Sequence, residues 1–367
     1  MTDNYTTRLE ISLKGCAENY RYFRNKIRPE TRMLVLVKAN AYGHGAVKFA
    51  GVMKDAGADY LAVAYTSEGV ELRRGGIDLP VIVLSAGTDS FTEITDCGLE
   101  PGIPDMRTLE ALCEVLERKG MEKYPVHIKL DTGMHRLGFS TGEIPALTDF
   151  LSSCKYVSVK SLYSHLCVAD DPEQDAFTER QAALFTENTE KIAEALGYMP
   201  MRHLLNSAGI ERFPQYQFDM VRLGIGIYGI SAVPGTKLSP AASLKCKILQ
   251  TKRLSAGDTV GYGRHGKAAD DGSVTATISA GYADGIDRKL GRGRASFSVN
   301  GRRVPTIGNI CMDMCMIDIT GVEAAAGDTV TIFGDDPHVS ELASILETIP
   351  YEIMTSVPSR VQRTITE

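Results

Sequence analysis

The sequence predicts an α/β fold: an N-terminal (β/α)8 TIM barrel followed by a mainly β C-terminal domain. Three observations carry this reading. Up to about residue 230, short apolar runs alternate with stretches of helical periodicity. Polar residues recur just after those runs, at what would be one face of a barrel. Beyond Val233-Pro234-Gly235 the alternation stops, and short strands follow one another across Gly-Asp and Asn-Gly turns. The expected domains are 1–232 and 233–367.

The first part offers eight strand candidates: 33–37, 60–64, 81–84, 99–103, 126–130, 157–164, 203–205 and 220–223. The fourth is the weakest. Segments such as 109–119 and 180–196 supply helices between them. A chain of β-α units closes most readily as a parallel barrel, whose site lies at the C-terminal strand ends. The second part reads as strands at 244–254, 274–279, 295–299, 304–307, 314–319 and 329–333. Asn300-Gly301 is its clearest hairpin turn.

Lys38 is the most informative residue. It follows the buried run Met33-Leu34-Val35-Leu36-Val37 and opens Lys38-Ala39-Asn40-Ala41-Tyr42-Gly43-His44-Gly45. A lysine there has a packed stem, and partial desolvation disfavours its ammonium. A neutral amine is what Schiff-base chemistry with an aldehyde requires. The two glycines let backbone approach a ligand, and Tyr42 supplies a hydroxyl for a phosphate. Other strand ends add Lys129, Asp131 and Arg136, then His165, then Asn206 and Ser207, then Arg222 and Gly224. Each alone reads equally well as a cap or an ion-pair partner. Together, on one face, they read as a site.

Gly224-Ile225-Gly226-Ile227-Tyr228-Gly229 matches GxGxxG. A dinucleotide site would want an acidic residue about 20 positions later, and none occurs between Ile230 and Gly257. The better reading is a barrel phosphate site after strands seven and eight. Amides of Ser207, Gly224 and Ile225, with the Ser207 hydroxyl, would hold one phosphomonoester. An aldehyde-accepting lysine with a phosphate cradle specifies pyridoxal 5′-phosphate. In the second part, Tyr262 lies between two glycines with little local cover, as a hairpin tyrosine also would. Cys311 has no neighbouring His and reads as structural.

Net charge of −6 argues against nucleic acid or an anionic membrane as partner. No run approaches a membrane span. The start, Met1-Thr2-Asp3-Asn4-Tyr5, lacks a basic region and an apolar core, so no secretory signal is expected. The eight cysteines form no CxxC pair, which suggests neither a zinc site nor a disulfide framework. A reducing cytoplasm is the expected compartment.

The segments VKANAYGHG, VHIKLDTGMHRLGF, SLYSHL, LLNSAGI, VRLGIGIYG, VGYG, GYADG and NICMDMCMIDIT, in that order, resemble bacterial alanine racemases across nearly the whole chain. The resemblance implies interconversion of L-alanine and D-alanine by two opposed bases, supplying D-alanine for peptidoglycan. It implies that Lys38 holds pyridoxal phosphate covalently and is one base. Tyr262 would be the other, supplied by the second subunit of a homodimer with shared sites. Arg222 would face the pyridine nitrogen, His165 would link Tyr262 to Arg222, and His203 would support Arg222. Arg136 would contact the cofactor phenolate and the substrate, with Lys129 carbamylated as its negative partner. Tyr42, Ser207, Gly224 and Ile225 would hold the phosphate, with Leu84 and Asn206 also at the cofactor. Met312 and Tyr282 would meet the substrate, and Arg288 would line the entrance.

One position departs from the pattern. Ser359, in Val357-Pro358-Ser359-Arg360, stands where the family carries a tyrosine that contributes to the phosphate site and the entrance. A serine or broad-specificity small amino-acid racemase is the nearest alternative. A fold-related decarboxylase would want an acid in place of Arg222. A non-enzymatic cofactor carrier would not need residues 233–367.

Overall fold

The computed structural model describes residues 6–366. The start read above as lacking a signal, Met1 to Tyr5, lies outside them. The chain forms two compact units. One comprises Ala17–Ala41 and Gly45–Ser239. The other comprises Met1–Cys16, Tyr42–His44 and Pro240–Glu367.

The first unit is a near-closed parallel barrel of eight strands. In chain order they are Arg32–Leu36, Tyr60–Val63, Val81–Val83, Glu100–Ile103, Tyr124–Lys129, Val157–Tyr163, Met201–His203 and Met220–Leu223. Successive strands pair in parallel up to the seventh, and the eighth pairs with the first through Leu34↔Arg222. Asp219 N–H donates to Arg202 O at 3.1 Å and Arg222 N–H to Leu205 O at 3.0 Å, joining the seventh strand to the eighth. The strand residues Leu34, Leu61, Val81, Ile82, Val126 and Ile128 are fully buried, as expected of strands covered on both faces. The weak fourth strand, Glu-Pro-Gly-Ile, is real. Its Gly102 is sterically required, because a Cβ there would lie 2.5 Å from Tyr163 Oη.

The outer helices follow the same logic. Met106–Arg118 starts at Asp105, whose side chain accepts from Thr108 N at 2.7 Å. It buries Leu109, Leu112, Cys113 and Leu116, the i, i+3, i+4, i+7 stripe.

The second unit is mainly β. Its longest strand, Ala242–Leu254, pairs with Thr7–Ser12 and Thr329–Phe333, and with Ser273–Ile278 across a register shift between Ile248 and Gln250. Ser273–Ile278 in turn pairs with Cys315–Asp318. Asn300 and Gly301 both take positive φ, and Val299↔Arg302 closes the hairpin they form.

Two features depart from the sequence reading. Thr7–Ser12, which the sequence reading did not pick out as a strand, belongs to this second sheet, pairing with Ala242–Leu254 and in parallel with Gln362–Thr366. The reason is its alternation: Leu9 and Ile11 are buried while their neighbours are not, which suits a half-exposed sheet and not a barrel interior. The second unit also carries two helices, Val339–Leu346 and Pro350–Ser356, among strands. No described helix is long and apolar enough to cross a membrane.

Gly226, the second glycine of the GxGxxG stretch, has a packing role. A Cβ there would lie 2.3 Å from the Phe23 ring, which is fully buried. Gly226→Ala should therefore destabilise the protein by about 1–3 kcal/mol, measured as a shift in the urea unfolding midpoint. An unchanged midpoint would show that Phe23 can give way.

Candidate active site

The barrel gathers its polar residues at the C-terminal strand ends. Lys38 follows the first strand, Leu84 the third and His165 the sixth. Lys129 closes the fifth, Asn206 and Ser207 follow the seventh, and Arg222 lies in the eighth. Lys38 starts a turn of unusual hand. Ala39, Asn40, Ala41 and Tyr42 have φ between 51 and 53°, a left-handed helical turn of four non-glycine residues. Such a conformation costs roughly 1–2 kcal/mol per residue. Glu68 offsets it at one end, accepting from Ala39 N–H at 2.6 Å, Ala64 N–H at 2.7 Å and Tyr65 N–H at 3.1 Å. Asn40 closes the turn, its carbonyl accepting from Gly45 N–H at 3.0 Å and its side chain from Ala46 N–H at 2.8 Å.

The electrostatics of the mouth are dominated by positive charge. Burial, then Arg136, draws the Lys38 pKa down, and Glu68 opposes them. Burial, then Arg136 and Arg222, brings Lys129 to about 8, against the pull of Asp131. Arg222 is buried, and burial lowers it to about 10, so it stays cationic at neutral pH. Its hydrogen bonds go to carbonyls and histidines. Nη1 donates to His203 O at 2.8 Å, and Nη2 to Leu204 O at 2.8 Å and Ser164 O at 2.5 Å. His203 Nδ1 lies 3.1 Å from Nη1 and His165 Nδ1 3.4 Å from Nη2. Burial followed by Arg222 holds both histidines well below the usual imidazole range, hence neutral.

Behind the mouth, Ser207 Oγ accepts from Gly224 N–H at 2.9 Å and from Gly226 N–H at 3.1 Å, tying the last two loops together. The Gly224 amide, expected at a phosphate, is thus engaged by Ser207. Tyr42 falls in the second unit, buried, with its ring 5.8 Å from that of Tyr351. Arg363 Nε donates to Gly43 O at 3.1 Å in the same unit. Ser359 is exposed.

The remaining expected residues converge within the second unit. Tyr262 is 72 % exposed, and its carbonyl accepts from Asn309 Nδ2 at 2.8 Å. Tyr282 N–H donates to Cys311 O at 3.0 Å, and Ala283 N–H to Met312 O at 2.9 Å. Gly281 is required there, because a Cβ would lie 2.4 Å from the carbonyls of Cys311 and Met312. Tyr282 and Met312 are both exposed.

Family models match the chain end to end: "Alanine racemase, N-terminal domain" over residues 11–232 and "Alanine racemase, C-terminal domain" over residues 241–365. The chain belongs to the alanine racemase family. It is 34% identical to an alanine racemase of Synechocystis over 366 residues, covering 97% of each chain. It is 36% identical to one from Sorangium cellulosum over 375 residues, covering 97% of this chain and 98% of that one. The crystal structure of a Bartonella henselae alanine racemase with covalently bound pyridoxal phosphate matches with a TM-score of 0.91. It is 28% identical, covering 99% of this chain and 100% of that one.

Membership makes this chain an isomerase that uses pyridoxal phosphate. Its residues fit that group. Lys38, Lys129, Arg136 and Arg222 act on one another electrostatically, four cations against the two carboxylates Glu68 and Asp131, so the mouth suits a phosphate and a phenolate. Arg222 bonds no carboxylate among the described residues, so the group in the ring-nitrogen position expected for Arg222 is an obligate donor.

Sequence reasoning missed Glu68 and Tyr163. Glu68 is the third residue of the helix Thr66–Arg74 and looks like an ordinary capping acid. Tyr163, ending the sixth strand, lies under Lys129 and Arg222, 5.9 Å and 5.8 Å from its ring centre. Removing the Glu68 carboxylate strips three amides of one acceptor. Glu68→Ala is therefore expected to lower stability by about 1.5–3 kcal/mol and to speed cofactor loss. Denaturant titration and pyridoxal phosphate release by dialysis check both, and unchanged values would make the turn self-supporting.

Proposed function

We propose that this protein interconverts L-alanine and D-alanine with pyridoxal phosphate, by two bases acting on opposite faces of the substrate. The observation that carries the reading is the buried Arg222, which meets carbonyls and neutral histidines and, among the described residues, no acid. Pyridoxal phosphate supplies an electron sink and an aldehyde for a lysine amine. A guanidinium cannot accept the ring proton. It leaves the sink weaker than an acid partner would, which favours returning a proton to Cα over transamination. The same observation counts against the decarboxylase alternative.

In this reading Lys38 binds the cofactor and moves a proton at one face. Burial and then Arg136 lower its pKa, which favours the neutral amine over the ammonium. Tyr262 moves the proton at the other face, oriented by His165. Ser207, Ile225 and Tyr42 hold the phosphate, with Gly224 held by Ser207, and Leu84 and Asn206 border the cofactor. Arg136 binds the phenolate and the substrate carboxylate, with Met312 and Tyr282 at the substrate. The working unit is a homodimer, because Tyr262 lies in a different compact unit from Lys38 and is largely exposed. We place it in the cytoplasm, supplying D-alanine for peptidoglycan.

Mixing Lys38→Ala with Tyr262→Phe subunits tests the shared site. In a random mixture of two-fold dimers, half are heterodimers with one intact site of two, so activity should recover to about a quarter of wild type. No recovery after proven subunit exchange would sink the shared site.

Lys129 is read as carbamylated, giving Arg136 a negative neighbour. Carbon dioxide reacts with the neutral amine, and Lys129 sits near 8. The carbamate should therefore grow as pH rises through that value. With labelled bicarbonate, a carbon-13 carbamate signal is expected in the wild type and not in Lys129→Ala. Its absence from the wild type would remove the assignment.

A further inference from the structure

A chain of hydrogen bonds crosses the barrel interior. Arg222 Nη1 lies 3.1 Å from His203 Nδ1, and His203 Nε2 lies 2.8 Å from Ser161 Oγ. Ser161 Oγ lies 2.6 Å from His127 Nδ1, and His127 Nε2 lies 2.7 Å from Glu100 Oε2. His127, Ser161 and His203 have no solvent exposure. Glu100 is the first residue of the fourth strand, Glu100–Ile103, so the chain starts at the N-terminal end of the barrel. It finishes at the arginine of the catalytic mouth. A polar chain through a barrel core is costly unless every member is satisfied.

The two ends decide where every hydrogen lies. A guanidinium only donates, so His203 must accept at Nδ1 and carry its hydrogen on Nε2. Ser161 then accepts from His203 and donates to His127 Nδ1. His127 carries its hydrogen on Nε2 and donates to Glu100, which as a carboxylate only accepts. Reversing any link puts N–H against N–H at Arg222, or oxygen against bare nitrogen at Glu100. Arg73, also near Glu100, spends its guanidinium on the carbonyls of Ile77, Leu79, Cys97 and Gly98.

We propose that Glu100 is a positioning residue for the reaction, acting through His127 and Ser161 to fix the tautomer of His203 and thereby the aim of Arg222. The proposal rests on Arg222 facing the cofactor ring. Without the acceptor at Glu100, His127 can take either tautomer, Ser161 can turn, and His203 can present N–H to Arg222. The guanidinium then moves off its line. A displacement of that kind acts on chemistry more than on substrate binding.

The test uses the holoenzyme labelled with nitrogen-15 histidine, its His203 signals assigned by their loss in His203→Gln. In the wild type, His203 should be protonated at Nε2 and bare at Nδ1. In Ser161→Ala and Glu100→Leu it should become a tautomeric mixture. In both, kcat per occupied cofactor site should fall about 10-fold to 100-fold. The KM for alanine should change less, and transamination should rise relative to racemisation. Glu100→Gln keeps the shape but can turn oxygen or amide toward His127, so it should fall between wild type and Glu100→Leu. It decides the matter if the leucine variant does not fold. A wild-type His203 protonated at Nδ1 would overturn the proposal, and so would folded variants with unchanged tautomer and kcat. Arg222→Glu separates the two layers. If it leaves racemisation unchanged, the placement of Arg222 fails, while the His203 signal of the wild type still reports on the chain.

Discussion

Arg222 is a permanent cation held in the barrel, bonded to no carboxylate among the described residues. Desolvating such a charge costs several kcal/mol unless its donors are well matched. That requirement governs what surrounds it. The carbonyls of Ser164, His203 and Leu204 serve it because the sixth and seventh strands end there, which frees their oxygens from the ladder. His165 and His203 must stay neutral beside it, so each offers a ring nitrogen as acceptor. Burial and the same positive field bring Lys129 to about 8, and burial with Arg136 lowers Lys38, so both amines are shifted toward their neutral forms. A region with this surplus of cations is completed by an anionic ligand, and pyridoxal phosphate brings two negative groups.

The second constraint is where Lys38 points. A left-handed turn of Ala39, Asn40, Ala41 and Tyr42 is tolerated only where its surroundings over-determine it. Glu68 grips its first amide and Asn40 closes it from within. Asn is one of the few residues that takes this region readily. The turn reverses the chain just after the strand, which lets the lysine leave a buried strand end while the following tyrosine is itself buried. Strain here is concentrated in the four residues that follow the lysine proposed to do the chemistry.

The barrel was legible because its strands are apolar on both faces and its turns are local. Met33 to Val37 could hardly be anything else. Thr7–Ser12 was missed because its partners lie at Ala242–Leu254 and Gln362–Thr366, and nothing local marks a strand whose sheet is completed so far along the chain. The helix Pro350–Ser356 is short and carries no clear periodic face. Single site residues such as Lys38 and Arg222 stood out because a charge at the end of an apolar strand is conspicuous. Glu100, His127 and Ser161 did not, since each is one ordinary polar residue in its own strand. Their meaning lies in the parallel register that sets His127 opposite Ser161. The left-handed turn had no signature beyond an asparagine and nearby glycines.

The proposed two-base reading needs proton donors on both faces of the substrate α-carbon, and a barrel mouth offers only one side from its strand ends. The second donor must come from elsewhere, on a support stiff enough to hold it. The loop at Tyr262 has that character. Gly261 and Gly263 take positive φ, which allows the sharp turn, and a Cβ on Gly261 would press on Met316. Asn309 ties the Tyr262 carbonyl down and is itself held by Arg292 Nε at 2.8 Å. The backbone is thus fixed while the ring stands out in solvent. Tyr282, Met312 and Met314 are also exposed, and their segments are joined to one another by backbone hydrogen bonds. Large exposed side chains on so rigid a backbone make sense as one surface shaped to be covered. Its stiffness would let it deliver a proton to a fixed point, and its exposure in the single chain fits the shared-site dimer proposed above.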